Sequence, residues 1–574
     1  MKREDDLWIR IGRIRSRGSR SKPFIAQALA AAEKAGGLAH PPRRARAGRF
    51  GRGRAASVSA SRMLTDRSRR VVVKARVVRH RIGRAPLKAH LTYLRRDGVT
   101  KDGTAGRMFN VERDDADHHA FTERCEDDRH HFRFIVSPDD ATELSDLKAF
   151  ARDLMAQAQK DLGTRLDWVA VDHWNTEHPH VHVIIRGRSD DGQDLVISRD
   201  YIRGGMRARA EALVTRELGL RSEHEIRKTL EREIEAERWT RLDQALMREA
   251  GRNGGIMDLR PDRHQRPDEL RAIKVGRIRK LERLGLAHPV SVGQWTFSEG
   301  AESTLRELGE RNDLIKRIHR SLGERGLERA PTSFVLTAEA SSGVIGRLVA
   351  RGLDDELAGT AYAVVDGIDG RAHHVRLPDL DAAGDSDPGS IVELRRYQDS
   401  RGRQRLALAV RSDLPLEAQV KANGATWLDR QLLARGNPVS EDGFGHEVRA
   451  ALEARTEYLV SEGFARRQGQ RVIFVRDLLD TLRRRELSTA GVRQSMEMGR
   501  PYRAAVEGEN ITGSYRQRLS LASGRFAIID DGLGFTLVPW TPSLERHLGK
   551  HVTGKLAPAG RVEWDLSRKR GLGI

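Results

Sequence analysis

The sequence predicts an α+β fold: a domain with a central, mainly antiparallel sheet flanked by helices, followed by winged-helix-like and small β-barrel-like modules. Three observations carry this. Residues 71–220 read in the order strand, helix, strand, helix, strand, strand, helix. Within them, DWVAVDHWNTEHPHVHVIIRGR (167–188) holds two apolar runs that pair as a hairpin across the WNTEHP turn. Beyond Gly254, a basic helix followed by a short hairpin occurs twice, with strand-rich stretches around the second copy.

A chain of 574 residues is too long for one core. The reading gives a basic, largely flexible arm at 1–70, the main α+β domain at 71–220 and a charged connecting helix at 221–254. A winged-helix-like module at 255–330 and a small β domain at 331–415 follow. A helical, winged-helix-like module spans 416–500, and a β-rich module with a basic tail spans 501–574.

The net charge of +21 is unevenly placed. Residues 1–90 hold 25 Lys/Arg against 5 Asp/Glu, and the rest of the chain is nearly balanced. Such a block points to a polyanion partner, because lysine and arginine release counterions from phosphates. One cysteine, Cys125, excludes an internal disulfide framework and suits a reducing cytoplasm. No apolar run reaches the roughly 20 residues of a membrane span, and no signal-peptide core follows Met1.

Taken in order, the arm alternates Arg with Gly and Ser, apart from a helical run at FIAQALAAAEKAGG. VVVKARVV (71–78) is a β-branched strand. In APLKAHLTYLRRDG, Pro86 opens a helix and Gly98 closes it, with Leu87, Leu91 and Leu94 as its apolar stripe. Tyr93 lies about 120° from the centre of that stripe, so it reads as an exposed tyrosine rather than a core one. A polar, acidic loop spans 99–130. HFRFIVSPDD supplies a strand and then a helix start, and the helix from Leu144 to Leu162 ends at Gly163. The segment 198–219 reads as a further helix, with Tyr201 at its start in a packing role.

In the second half, Leu281, Gly285, Leu286 and Ala287 match Leu459, Gly463, Phe464 and Ala465 in type, each set leading into a hairpin-like run. Residues 334–412 read as a small barrel, and GRFAIIDDGLGFTLVPW as a hairpin near the C-terminus.

Four histidines, His173, His178, His180 and His182, fall within ten positions. Strand alternation puts His180 and His182 on one face, and a hairpin brings His173 to the same face. Three neutral imidazoles hold a divalent metal and leave positions open for a substrate. A polar strand face that happens to be rich in histidine is the plain alternative. Basic arm, three-histidine site and nearby tyrosine together suggest phosphodiester chemistry on nucleic acid, with a cation neutralising phosphate charge and tyrosine as nucleophile.

AHLTYLRRDG, HFRFIVSPDD and DHWNTEHPHVHVII, in that order, resemble the three motifs of plasmid mobilisation (conjugative) relaxases of the His-hydrophobic-His (HUH) endonuclease superfamily, over roughly residues 71–220. The resemblance implies Tyr93 as nucleophile and His173, His180 and His182 as ligands of Mg²⁺ or Mn²⁺. It implies a DNA contact from Ser137, and Arg95 and Arg96 beside the tyrosine are further DNA-binding candidates; Asp172, on the strand face opposite His173, and Asn175 stand behind the metal ligands at most. Asn175 stands where the third motif often has an acid, and an amide orients a ligand without accepting a proton. The basic arm and long C-terminal half resemble a relaxase subgroup whose C-terminal region has no defined activity. No G-x-x-x-x-G-K-[ST] loop is present, so a fused helicase is not expected.

The implied activity is cleavage of one strand at an origin of transfer, on single-stranded or supercoiled DNA, through a 5′-phosphotyrosyl adduct that is later resealed. Accessory relaxosome proteins and a type IV secretion coupling protein are the implied partners. Two other readings stand beside it. A rolling-circle replication initiator uses the same chemistry but places the histidine pair before the tyrosine. A non-catalytic winged-helix DNA-binding regulator would bind DNA without metal.

Overall fold

Alternating apolar residues in four short segments build the sheet that carries the histidines. β1 (Val71–Arg79), β2 (His130–Pro138), β3 (Trp168–His173) and β4 (His180–Arg186) assemble in the order β1-β2-β4-β3. Every pairing is antiparallel. The structure, a computed structural model, describes residues 52–62, 64–65, 67–80, 86–96, 99–174, 178–261, 269–337, 343–398, 402–434, 439–469, 471–557 and 561–565. The helical run expected in the arm, Asn175 and the basic C-terminal tail lie outside the described residues.

One face of this sheet presents Val71, Val73, Ala75, Phe132, Phe134, Val136, Val181, Val183 and Ile185. It is covered by two helices, which follow three others in the chain. α1 (Arg54–Arg62), α2 (Pro86–Leu94) and α3 (His118–Arg124) come first; α4 (Leu147–Leu162) and α5 (Met206–Leu218) form the cover. The opposite face is half covered. Leu87, Leu91 and Leu94 of α2 and Phe121 of α3 seal Val169, Val171 and Ile184 on the β3–β4 side.

Order reaches back into the segment expected to be a flexible arm. Arg52 exchanges backbone hydrogen bonds with Val196 and Ser198, and Ser57 Oγ donates to the Asp200 carbonyl. These bonds hold α1 against the start of the helix expected at 198–219. That helix begins as a π-helical turn, Tyr201–Gly205, and continues as α5. A Cβ on Gly205 would stand 2.5 Å from the Tyr201 ring, so the glycine admits the buried aromatic. The expected polar loop at 99–130 contains α3 and ties to the sheet edge, because Phe109 and Ala170 exchange both backbone hydrogen bonds.

The chain divides into two units, Met1–Arg306 and Glu307–Ile574. The charged connecting helix is two helices, α6 (Glu223–Ile234) and α7 (Arg241–Arg252). Thr240 interrupts it: its hydroxyl caps the amide of Asp243, and the Asp243 carboxylate accepts the Thr240 amide in return. α7 opens the first winged-helix-like module, with β5 (Ile256–Asp258), α8 (Arg271–Arg283), β6 (Ala287–Ser291) and β7 (Gln294–Phe297) in the sheet order β5-β7-β6. α9 (Ala301–Gly323) follows.

The second unit holds a six-stranded sheet of β8 (Phe334–Thr337), β9 (Ile345–Asp355), β10 (Thr360–Gly367), β11 (Ala372–Leu377), β12 (Ile391–Gln398) and β13 (Gln404–Ser412). Its order is β13-β12-β9-β10-β11-β8. β13 and β8 are its two edges, so the small β domain is an open sheet rather than a closed barrel. Short helices α10 (Leu380–Ala383) and α11 (Leu416–Val420) flank it. α12 (Trp427–Leu433), α13 (Gly443–Ser461) and the hairpin β14 (Ala465–Gln468) and β15 (Arg471–Phe474) form the second helix-and-hairpin module, followed by α14 (Leu478–Met498). Five antiparallel strands, β16 (Asn510–Leu521), β17 (Gly524–Asp530), β18 (Phe535–Pro539), β19 (His551–Ala557) and β20 (Arg561–Asp565), make the C-terminal sheet.

The two modules share more than the matched Leu-x-x-x-Gly-x-Ala. Gly285 and Gly463 both adopt positive φ, and the amides of Leu286 and Phe464 each return to the carbonyl five residues before, 2.8 Å in both. In both, a threonine caps a helix whose aspartate is held by a fully buried arginine. Arg277 grips Asp243 and the carbonyls of Ile234, Ala236 and Arg238; Arg455 grips Asp429 and the carbonyls of Val420, Ala422 and Gly424.

Candidate functional site

The β3–β4 register sets His173 directly opposite His180, and His182 follows on the same face. All three imidazoles are buried, with nitrogen atoms within 4.8 Å of one another. Ring centroids are 5.4 Å apart for His173–His180, 4.5 Å for His173–His182 and 4.9 Å for His180–His182. The backbone sets two tautomers. His173 Nε2–H donates to the Leu94 carbonyl at 2.8 Å, and His180 Nδ1–H donates to the His178 carbonyl at 2.9 Å. His173 Nδ1 and His180 Nε2 are then the lone-pair nitrogens. His180 Nε2 stands 3.1 Å from His182 Nε2. Two nitrogens each about 2.0–2.1 Å from one ion at a right angle are separated by about 3 Å, so this donor set fits a divalent metal.

Tyr93 belongs to the last turn of α2, one residue before the carbonyl that receives His173. It is half-buried, its ring packed against the α2–α3 cluster, and so less exposed than its helical phase predicts. The Arg96 guanidinium lies 4.2 Å from the centre of the Tyr93 ring, and its Nη1 donates to the Tyr93 carbonyl at 3.4 Å. Tyr201, the other tyrosine of this domain, is fully buried and donates to Asp161. Burial and the Asp161 charge raise its pKa further above the ordinary tyrosine value.

Among the other expected site residues, Ser137 shares the histidine face, and its hydroxyl donates to the Pro179 carbonyl beside His180. Arg95 points away from Tyr93 to His118, whose pKa is lowered by burial and by the Arg95 charge. Asp172 lies on the opposite sheet face, where it accepts from Trp174 Nε1 at 2.7 Å and pairs with Lys148 at 3.9 Å; it does not reach the histidines. His178 is exposed, and its carbonyl accepts from His180 Nδ1–H.

Sequence reading missed the basic residues on this face. Lys74 lies opposite Ile135, itself opposite His182, and Arg76 lies opposite Arg133. Lys74 is exposed and Arg76 half-buried, on the half of the face that α2 and α3 leave uncovered. Arg133 is buried: its Nε donates to His131 Nε2 at 3.0 Å, and His131 Nδ1 meets His80 Nε2 at 2.6 Å. Burial, with the Arg133 charge, holds His131 well below the usual histidine range, so it is neutral and accepts from Arg133. Burial, with the Arg76 charge, brings Arg133 down to about 10. The alternation of Lys74 and Arg76 within β1 was the available signal, but only the sheet order places them beside the histidines.

Residues 103–215, which carry β2–β4 and the three convergent histidines, match the MobA/VirD2-like relaxase nuclease domain. Tyr93 lies ahead of the matched residues. Residues 274–405 and 395–573 match the family described as protein of unknown function (DUF3363); together they span more than half of the chain, which belongs to that family. The chain thus joins a relaxase-type nuclease domain to a long C-terminal region of the DUF3363 family. No curated protein and no solved structure matches the chain. No helix among the described residues is long and apolar enough to cross a membrane.

Proposed function

We propose that this relaxase nicks one DNA strand at an origin of transfer by transesterification on Tyr93. The observation that supports it is the hydrogen bond from His173 to Leu94, which sets the helix of the tyrosine against the histidine cluster. Tyr93 Oη forms a bond to phosphorus as the bond from phosphorus to the 3′ oxygen breaks. The phenol proton is lost and the departing oxygen takes one up, leaving a 5′-phosphotyrosyl adduct and a free 3′-hydroxyl. One ester replaces another, so resealing needs no ATP.

His173, His180 and His182 hold Mg²⁺ or Mn²⁺, which when bound neutralises charge on the non-bridging oxygens. Arg96 orients the Tyr93 ring, and Lys74 and Arg76 steer the strand across the open half of the sheet face. Ser137 contacts DNA near His180. Accessory relaxosome proteins and a type IV coupling protein are the partners of this activity, carried out in the cytoplasm. The test is incubation with supercoiled DNA carrying a candidate origin and Mg²⁺ or Mn²⁺. Relaxation with protein bound to a 5′ end is expected; cleavage with free 5′ ends would overturn the tyrosine mechanism.

A further inference from the structure

The hairpin β12–β13 reaches beyond its own sheet. β12 pairs with β9 only at Ile391, Val392 and Glu393, whereas its pairing with β13 runs on to Gln398 opposite Gln404. From Arg395 outward the hairpin is therefore a two-stranded ribbon with no third strand among the described residues. Its two faces differ. Leu394, Leu406 and Leu408 lie on the face that packs into the sheet core. The other face carries Arg395 and Tyr397 on one strand, with Ala407 and Arg405 directly across from them.

The outer part of the ribbon, beyond the last contact with β9, is basic and wet, with Arg396 on the leucine face and Arg395 and Tyr397 on the other. Arg395, Arg396, Tyr397 and Arg403 are exposed, Tyr397 at 46%, although a tyrosine of no use to solvent contacts gains by burial. Residues 391–412 hold six arginines against two acids. Glu393 bridges Arg395 and Arg411, and by count the ribbon keeps a net positive charge.

We propose that this ribbon is a duplex-DNA binding site within the DUF3363 region, with Arg395, Arg396, Arg403 and Arg405 as its charges and Tyr397, across from Arg405, as its aromatic contact. The major groove of B-DNA admits a two-stranded β-ribbon, and arginines along the ribbon reach phosphates on both walls of the groove or guanine edges on its floor. A ribbon of this width does not track a single strand, for which stacked aromatics in a groove are the usual means, and here one tyrosine stands alone. The inference is independent of the nicking chemistry, since none of these residues belongs to the histidine–tyrosine site.

The experiment uses the full chain and fluorescence anisotropy against a labelled duplex of arbitrary sequence and a single strand of equal length, at several salt concentrations. Replacing Arg395, Arg396, Arg403 and Arg405 together by Gln should weaken duplex binding about tenfold or more and make its salt dependence shallower. Single-strand binding should stay within about twofold. Unchanged duplex affinity, or equal loss on both probes, would overturn the proposal. Hydrogen exchange on the unaltered chain guards against a misfolded variant: added duplex should slow exchange over 391–398 and 404–412, and no change there would also overturn it.

Discussion

His173 Nε2–H donates to the carbonyl of Leu94 at 2.8 Å, so a histidine of the β3–β4 cluster is bonded to the residue beside Tyr93. The bond fixes which ring nitrogen of His173 faces the cluster and also anchors the end of α2. Moving the tyrosine helix therefore disturbs the tautomer of that histidine, and losing the histidine frees the helix.

Tyr93→Phe removes only an oxygen, and the half-buried ring keeps its packing and its contact with Arg96. Stability, metal binding and DNA affinity should match the unaltered protein, while the covalent adduct disappears from denaturing gels. Tyr201→Phe should keep the adduct but lose stability by about 1–3 kcal/mol, because Asp161 loses a buried donor. An adduct mapped to Tyr201 by mass spectrometry would refute the assignment.

Single replacement of His173, His180 or His182 by Ala should lower metal affinity more than about 100-fold, beyond the 10–100-fold loss typical of an outer partner. Excess chelator should abolish cleavage to the same extent. His178→Ala should be mild, because its backbone carbonyl, which the substitution retains, is what holds His180. Titration calorimetry with Mn²⁺ separates the four variants.

Removing residues 1–51 should weaken DNA binding and flatten its salt dependence while leaving cleavage of a short single strand largely intact, since 13 Lys/Arg against 4 Asp/Glu are lost. Extending the deletion to residue 70 should behave differently. It strips α1 from the π-helical turn at Tyr201 and should lower the melting temperature, as calorimetry would show.

Asp243→Ala leaves the Arg277 guanidinium fully buried without its carboxylate and should destabilise the first module by about 3–5 kcal/mol. Asp243→Asn, which keeps hydrogen-bonding capacity, should cost less. Urea denaturation compares the two, and equal losses would show that the charge is not what matters.

The histidine triad was legible because strand alternation and one short hairpin decide it, both local properties of residues 167–188. Tyr93 was legible as a helical residue but not as half-buried, because α3, which helps bury it, comes from the stretch read as loop. Lys74 and Arg76 could not be placed, since β1 reaches the histidines through β2, more than fifty residues away in sequence. The split between α6 and α7 was written in Thr240 and Asp243, a capping pair hidden inside a continuous run of helix-forming charges. Asp172 was assigned to the face that the structure shows.

The separation between the gripped aspartate and its arginine is 34 residues in the first module and 26 in the second. Cap, ion pair and hairpin turn keep their geometry across that difference, and the first copy spends its longer path on β5, a third strand for its sheet. The two copies are thus an internal alignment of the chain with itself. Length between the threonine cap and the arginine is free to vary, whereas the cap, the arginine and the glycine turn are not. An epitope or fluorophore inserted between cap and arginine should be accepted in either copy, and the same insertion between arginine and glycine in neither.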